Sequence, residues 1–208
     1  MSDFGYGWMS PNDVSSKYNS QVFVINQLLS KVRTLQLGLV LAVNGGGLNV
    51  PPTVNVQPLV NMVDGNGNSV PHGTIFNVQV LRWQGGDTAL IIDPAVNDIG
   101  LLAICDRDIS SVINNKGPAN PGSNRRFDFA DAIYLGSVLG SSPKQYIQSS
   151  VQGLTLADRN GNTIAMTKQG ITFTDALGNT FTVANYVLHT HGGVTPGGGE
   201  SGPPTPGT

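Results

Sequence analysis

The sequence predicts a mainly β fold with a single N-terminal helix, and three observations support this. Charged residues make up only 12% of the 208 residues, which is about half the usual share in a soluble domain. Glycine occurs 27 times. Short apolar runs alternate with turn-forming residues along most of the chain, and this pattern is typical of β proteins with many turns.

Residues 1–34 are predicted to form an arm followed by one amphipathic helix over 15–34. Ser15 or Ser16 is placed to cap the start of this helix. Its apolar face consists of Val22, Ile25, Leu29 and Val32, flanked by Tyr18 and Leu28. The helix packs either on its own domain or on a partner helix, and the sequence leaves both open.

Residues 35–143 are predicted to form an OB-like five-stranded barrel. The expected strands are the apolar runs at 35–43, 54–63, 75–83, 88–92 and 100–105, each followed by turn residues. A short helix and a long loop are expected over 107–125, and a last extended segment over 126–139. Five short strands joined by hairpin-type turns predict a small barrel or a sandwich, and an OB-like barrel fits their number and length.

The next part of the chain contains a repeat. Residues 154–166 and 171–183 superpose at an offset of seventeen, with Asp158 on Asp175 and Gly-Asn-Thr on Gly-Asn-Thr. Within each copy, apolar and small polar residues alternate with period two, as a strand requires. Each copy is therefore predicted to be a strand, a turn and a second strand.

Such a unit cannot bury its apolar face alone and must stack on copies of itself. Two copies are fewer than the three that a single-chain solenoid needs, so the missing copies are expected from other chains. We therefore predict an intertwined homotrimeric β-helix or β-prism over 144–191. The remaining segment, 192–208, is a Gly/Pro-rich tail outside the core.

Two of the three histidines form the sequence His189-Thr190-His191 at the end of this region. On a strand, residues i and i+2 point to the same side. A three-fold axis would bring six imidazoles together as an octahedron, a geometry open to Fe(II), Ni(II) or Zn(II). Such a filled site would be structural rather than catalytic. The third histidine, His72, lies alone in a turn and is expected at the surface.

Net charge and motifs argue against two classes of function. The net charge of −2 gives no basic face for nucleic acid, and the adjacent Arg125 and Arg126 are expected on the surface or in a salt bridge. The single cysteine, Cys105, is expected to be buried and inert. No hydrolase, metalloprotease or phosphate-loop motif occurs, so we expect no enzyme. The carboxylate pairs Asp93/Asp98 and Asp106/Asp108 lie where turns need aspartate.

Taken together, these patterns resemble the short central spike proteins of contractile-tailed phage baseplates. The matching elements are the run Pro-His-Gly-Thr-Ile-Phe-Asn-Val-Gln-Val at 71–80, the Asp-Pro-x-x-x-Asp-x-Gly turn at 93–100, the Arg-x-Phe-x-x-x-Asp-Ala segment within 124–134, and the terminal His-Thr-His-Gly-Gly. The similarity covers about residues 35 to 195.

This resemblance implies a membrane-puncturing spike of the virion tail baseplate, which reaches the host cell envelope on infection. It implies iron on His189 and His191 of the three chains, with zinc or nickel possible from the residue types. It also implies a hub protein bound at the OB end and transient contact with the host outer membrane. Two alternatives remain open: a baseplate hub or adaptor that does not pierce, and a glycan-binding tail protein with an aromatic-lined groove.

Overall fold

A computed structural model gives the structure of residues 9–64 and 66–188, with side chains to residue 185. The chain divides into two compact units, Met1–Ser141 and Ser142–Thr208. Strands far outnumber helices among the described residues. The predicted mainly β class is therefore confirmed.

The described helices are α1 (Lys17–Leu29), α2 (Ser110–Asn115) and α3 (Val183–Leu188), with a 3-10 turn at Phe129–Asp131. The strands of the first unit are β1 (Leu35–Gly46), β2 (Val50–Pro58), β3 (Met62–Val63), β4 (Ser69–Val70), β5 (Ile75–Val80), β6 (Trp83–Gly85), β7 (Thr88–Leu90), β8 (Ile99–Ile104) and β9 (Ala132–Ser137). Those of the second unit are β10 (Tyr146–Ser150), β11 (Gly153–Ala157), β12 (Thr163–Thr167), β13 (Gly170–Thr174) and β14 (Thr180–Thr182).

The helix α1 begins where the sequence predicts but is shorter than 15–34. Ser16 caps it, because its hydroxyl accepts a hydrogen bond from the Asn19 N–H at 3.1 Å. Ser30 ends it, with its own N–H bonded to the carbonyl of Asn26. No residue of α1 is buried.

The first unit contains a closed barrel of five strands in the order β1-β2-β5-β9-β8. Neighbouring strands are antiparallel except β5 and β9, which are parallel. Along β2 every second residue from Pro52 to Pro58 is buried, which is the period of a strand with one face on a core. The core consists of Val40, Val54, Val56, Val78, Leu102, Ile104, Ala132 and Tyr134. The predicted five-stranded barrel is confirmed.

The strand assignment within the barrel differs from the prediction in two places. The run at 88–92 does not enter the barrel; Thr88–Leu90 pairs locally with Trp83–Gly85 in an exposed hairpin. The fifth barrel strand is β9, from the segment expected only as a final extension. The run at 54–63 is also divided, because β2 ends at Pro58, which has no N–H to donate. Met62–Val63 then forms a separate hairpin with Ser69–Val70.

The described strands of the second unit form one antiparallel sheet in which each strand pairs with the next, from β10 to β14. The two repeat copies correspond to β11–β12 and β13–β14. The prediction extended strands to residue 191, whereas the described strands end at Thr182. The hydroxyl of Thr182 accepts a hydrogen bond from the Asn185 N–H at 3.0 Å, a capping contact that begins α3.

Candidate functional site

The sheet of the second unit has two chemically different faces. Strand pairing aligns Leu154 with Met166 and Ile164 with Phe173, so these side chains share one side of the sheet. The apolar face consists of Ile147, Leu154, Leu156, Ile164, Met166, Ile171, Phe173 and Phe181. The threonine face consists mainly of Thr155, Thr163, Ala165, Thr172, Thr174 and Thr182.

The apolar face is largely exposed among the described side chains: Leu154, Leu156 and Ile164 are half-buried and the others are exposed. No described residue of the second unit is buried, whereas every residue of the buried core belongs to the barrel. Ile147 is 64% exposed and Phe173 is 41% exposed, although Phe173 packs on the ring of Phe181 at 6.0 Å between centroids. A sheet with one apolar face is stable when that face packs on another layer. The second unit therefore exposes apolar side chains on one face of its sheet.

The Asp-x-x-Gly-Asn turns of the repeat are built alike. In the first, Asp158 Oδ1 accepts the N–H groups of Asn160 and Asn162 at 2.9 Å each, and the Asn162 side-chain amide donates to Asp158 Oδ2 at 2.7 Å. In the second, Asp175 receives the same backbone and side-chain bonds from Asn179. The pKa of each carboxyl is lowered, chiefly by the asparagine side-chain hydrogen bond. Each turn is thus held by its own aspartate.

The same turn also occurs in the first unit, between β3 and β4. Asp64 Oδ1 accepts the N–H groups of Asn66 and Asn68, and the Asn68 amide donates to Oδ2 at 3.0 Å. From the sequence, the residues that follow the run at 54–63 were expected only to form a turn. The spacing from aspartate to the final asparagine, which is the same as in the repeat, was the signal that could have identified it.

A second kind of turn closes the opposite ends of the repeat strands. Gln152 N–H donates to the Ser150 hydroxyl, and Gln169 N–H donates to the Thr167 hydroxyl, each at 3.2 Å. The glycine that follows the first turn, Gly153, has φ +140°, and a Cβ there would collide with the backbone of β12. The repeat therefore includes the Ser/Thr-x-Gln-Gly turns, which the comparison of 154–166 with 171–183 missed.

The predicted metal ligands, His189 and His191, lie outside the described residues, so their geometry stays a prediction. His72 was expected at the surface but is half-buried, with its ring edge-on to Phe129 at 5.1 Å between centroids. Within residues 9–64 and 66–188, no three His, Cys, Asp or Glu side chains are arranged to hold a metal ion.

Three of the aspartates considered as catalytic pairs hold turns or loops instead. Asp93 accepts a hydrogen bond from the Gly47 N–H of the β1–β2 turn. Asp98 accepts one from the Ala95 N–H at 2.8 Å. Asp108 accepts one from the Ser110 N–H at 2.9 Å at the start of α2. These bonds match the turn roles expected from the sequence.

Arg125 joins two buried aspartates. Its Nη2 lies 3.0 Å from both Asp108 Oδ2 and Asp131 Oδ1, and its Nε donates to Asp131 Oδ2 at 3.2 Å. Hydrogen bonds from Ser110 and Ser123, and then the charge of Arg125, lower the pKa of Asp108 to about 2. The salt-bridge alternative for Arg125 is therefore observed, and it ties the loop after α2 to the start of β9.

Cys105 directly follows β8 and is half-buried rather than buried. Burial is the main cause that raises the pKa of its thiol, and the negative charges of Asp131 and Asp106 add to it. A raised pKa keeps the sulfur protonated at neutral pH, and the protonated thiol is a poor nucleophile. This agrees with the inert role expected from the sequence.

The exposed hairpin of the barrel carries an open groove of about 510 Å³ beside Trp83, which is 69% exposed. The polar side chains next to the tryptophan already have partners. Arg82 donates to the backbone carbonyls of Gly47 and Leu48, and Gln84 donates to that of Gly86. The surface of the groove is mainly apolar.

No described helix is long and apolar enough to cross a membrane. A comparison with models of protein families and with characterised proteins finds no match for this chain. The class that its fold defines is therefore a five-stranded barrel unit followed by a repeated antiparallel sheet.

Proposed function

We propose that the protein is the subunit of a homotrimeric central spike, in which an OB-like barrel precedes a trimeric β-structured shaft. The observation that carries this proposal is the largely exposed apolar face of the second unit, on which Ile147, Met166 and Phe173 are 64%, 41% and 41% exposed. Its eight apolar side chains lie on one side of a single sheet, and no described residue of that unit is buried.

Three copies of the sheet would supply the missing cover. With the apolar faces turned towards a common axis, each sheet packs on its two neighbours and the threonine faces turn outward. Burying an aliphatic or aromatic side chain contributes about 1.5–3 kcal/mol, so eight per chain give a strong driving force for association. Closed three-fold symmetry also leaves no unpaired copy to recruit further chains.

A shaft of this kind transmits axial force. The strands of the sheet are joined by short turns, each held by side-chain hydrogen bonds to its own backbone. Deforming the shaft requires breaking many such bonds together. This stiffness, with the resemblance of the sequence to phage spike proteins, supports a mechanical piercing role in the virion tail baseplate.

The proposed tip follows the sheet in the sequence. His189 and His191 of three chains would provide six imidazole nitrogens, a donor set that fits an octahedral divalent metal. The resemblance favours iron, and the donor type also suits zinc or nickel. A bound metal would hold the three chain ends together. It would stabilise the folded trimer and not the unfolded chain.

Native mass spectrometry of the purified chain tests the proposal. We expect a particle of three times 21.8 kDa with one transition metal ion, and loss of the metal in the double variant His189→Ala, His191→Ala. The control is His72→Ala, which removes the third histidine and should leave the metal bound. A monomeric particle would overturn the spike, and a metal-free trimer would overturn the tip alone.

One observation favours a second function, that of a baseplate adaptor which does not pierce. The exposed groove at Trp83 gives the barrel an apolar surface for another protein. Electron microscopy of assembled particles separates the two functions. A spike has a free C-terminal end, whereas an adaptor is capped there by another protein.

A further inference from the structure

The helix α1 presents an apolar stripe that no part of the described chain buries. The α1 stripe consists of Tyr18, Val22, Ile25, Leu29 and Val32, the last of these just beyond the helix end. Each of its residues is between 36% and 71% exposed. A helix of thirteen residues is marginal on its own in water, so its stability depends on packing of this stripe.

The spacing of the stripe identifies the kind of partner. Its residues follow one another at intervals of four, three, four and three, which is the heptad pattern of a helix that packs along another helix. Within α1, Val22 and Leu29 take the a positions and Tyr18 and Ile25 take the d positions, while Val32 continues the spacing beyond the helix end. The other apolar residues of the helix, Phe23, Val24 and Leu28, lie outside this spacing.

The residues at these positions also bear on the number of helices. Leucine at a with isoleucine at d shifts coiled coils away from pairs towards three or four strands, and Leu29 and Ile25 stand in this relation. Within the helix, the flanking e and g positions hold Asn19, Gln21, Asn26 and Leu28, none of them charged. Copies of α1 can therefore approach one another without opposing like charges.

We propose that α1 of three copies of this chain forms a short parallel three-helix coiled coil. The occupant of the α1 stripe is thus a second and a third copy of the same helix. This coiled coil adds a trimer contact outside the repeated sheet. It rests on the proposed function only for the choice of three helices over four. Rotational symmetry makes the three helices parallel, so each a residue lies beside its own copies.

Cross-linking of the full chain tests this contact. Cysteine is placed on the stripe in Val22→Cys or off it in Val24→Cys, both in a Cys105→Ser background that removes the natural thiol. Val24 is 52% exposed and Val22 is 36% exposed, so exposure alone predicts faster reaction at the control position. We expect a short bis-maleimide to link Val22→Cys chains about tenfold faster or more, because bundled thiols have a high effective concentration.

A pair of charged variants provides the second measurement. Ile25 and Val24 are adjacent and almost equally exposed, at 53% and 52%. Ile25→Asp should abolish the cross-linking of Val22→Cys, whereas Val24→Asp should leave it intact. Equal cross-linking at positions 22 and 24, in a particle that native mass spectrometry shows to be trimeric, overturns the coiled coil and leaves the spike standing. A monomeric mass overturns both proposals, and a tetrameric mass overturns the number three.

Discussion

The side-chain oxygen of Asn162 accepts a hydrogen bond from the backbone N–H of Ala176 at 2.9 Å. The two residues belong to consecutive Asp-x-x-Gly-Asn turns of the repeat. Because the Asn162 amide nitrogen also donates to Asp158, one side chain closes its own turn and links it to the next. The turns at this end of the sheet are thus connected side by side, independently of the strand ladder.

This link predicts a difference between two equivalent asparagines. Asn162→Ala removes the bond within its turn and the bond to Ala176, whereas Asn179→Ala removes only the bond within its turn among the described contacts. We expect Asn162→Ala to be the more destabilising by about 1 kcal/mol, the net value of one hydrogen bond. Urea unfolding followed by circular dichroism measures both variants. Equal midpoints would show that the link contributes nothing.

The faces of the repeated sheet predict opposite effects for two neighbouring residues. Ile164 lies on the apolar face and Ala165 on the threonine face, and both are half-buried. Ile164→Asp would bury an unpaired charge in the proposed trimer, at a cost of several kcal/mol per chain, and should give monomers in sedimentation velocity. Ala165→Asp should remain trimeric. Two trimeric variants would contradict packing through the apolar face.

Within the barrel, Gly100 predicts a site where a methyl group is not tolerated. A Cβ there would collide with the Tyr134 hydroxyl and with the carbonyl of Gly136. Gly100→Ala should therefore destabilise the first unit by about 1–3 kcal/mol, the usual cost of overpacking a core. Gly73→Ala is the control, since a Cβ there meets open space. Thermal unfolding compares them, and equal melting temperatures would disprove the collision.

Asp108 predicts a pH dependence of stability. Its pKa is about 2 in the folded chain and 3.8 as a reference. A lowered folded pKa means that its contribution is fully present above about pH 4 and is lost as the pH falls towards 2. Asp108→Asn should therefore show a shallower loss of melting temperature between pH 5 and 2 than the parent chain. The control Asp106→Asn changes the exposed carboxylate nearby. If Asp108→Asn and the parent chain have the same slope, the pKa of Asp108 is not lowered by folding.

The sequence was sufficient for those parts of the fold that depend on local pattern. The helix near Val22, the barrel strands at Leu35, Ile75 and Ile99, and the repeat around Asp158 all carry their own periodicity or turn residues. The sequence was not sufficient to predict which strands pair with one another. The run at 88–92 has the composition of a barrel strand, but Thr88–Leu90 pairs with its neighbour Trp83–Gly85 because the two-residue turn Gly86-Asp87 brings the two strands together.

For the candidate sites, too, features that depend on local pattern were predictable and features that depend on distant contacts were not. The apolar face was predictable because Ile164, Phe173 and their partners alternate with threonine and alanine. The cluster of Arg125 with Asp108 and Asp131 was not, because it joins residues on either side of a long loop and depends on where β9 enters the barrel. The predicted metal ligands His189 and His191 lie outside the described residues and stay a prediction.

The seventeen-residue period of the sheet makes its length a countable quantity. One period adds two strands and one turn of each kind, and since neighbouring strands lie about 4.8 Å apart, it extends the sheet by about 10 Å. After two strands the chain again runs in the same direction, and equivalent side chains lie on the same face of the sheet. Duplication or loss of one period would therefore lengthen or shorten this unit in fixed steps. Its length could change in this way while the two faces of the sheet keep their chemical character.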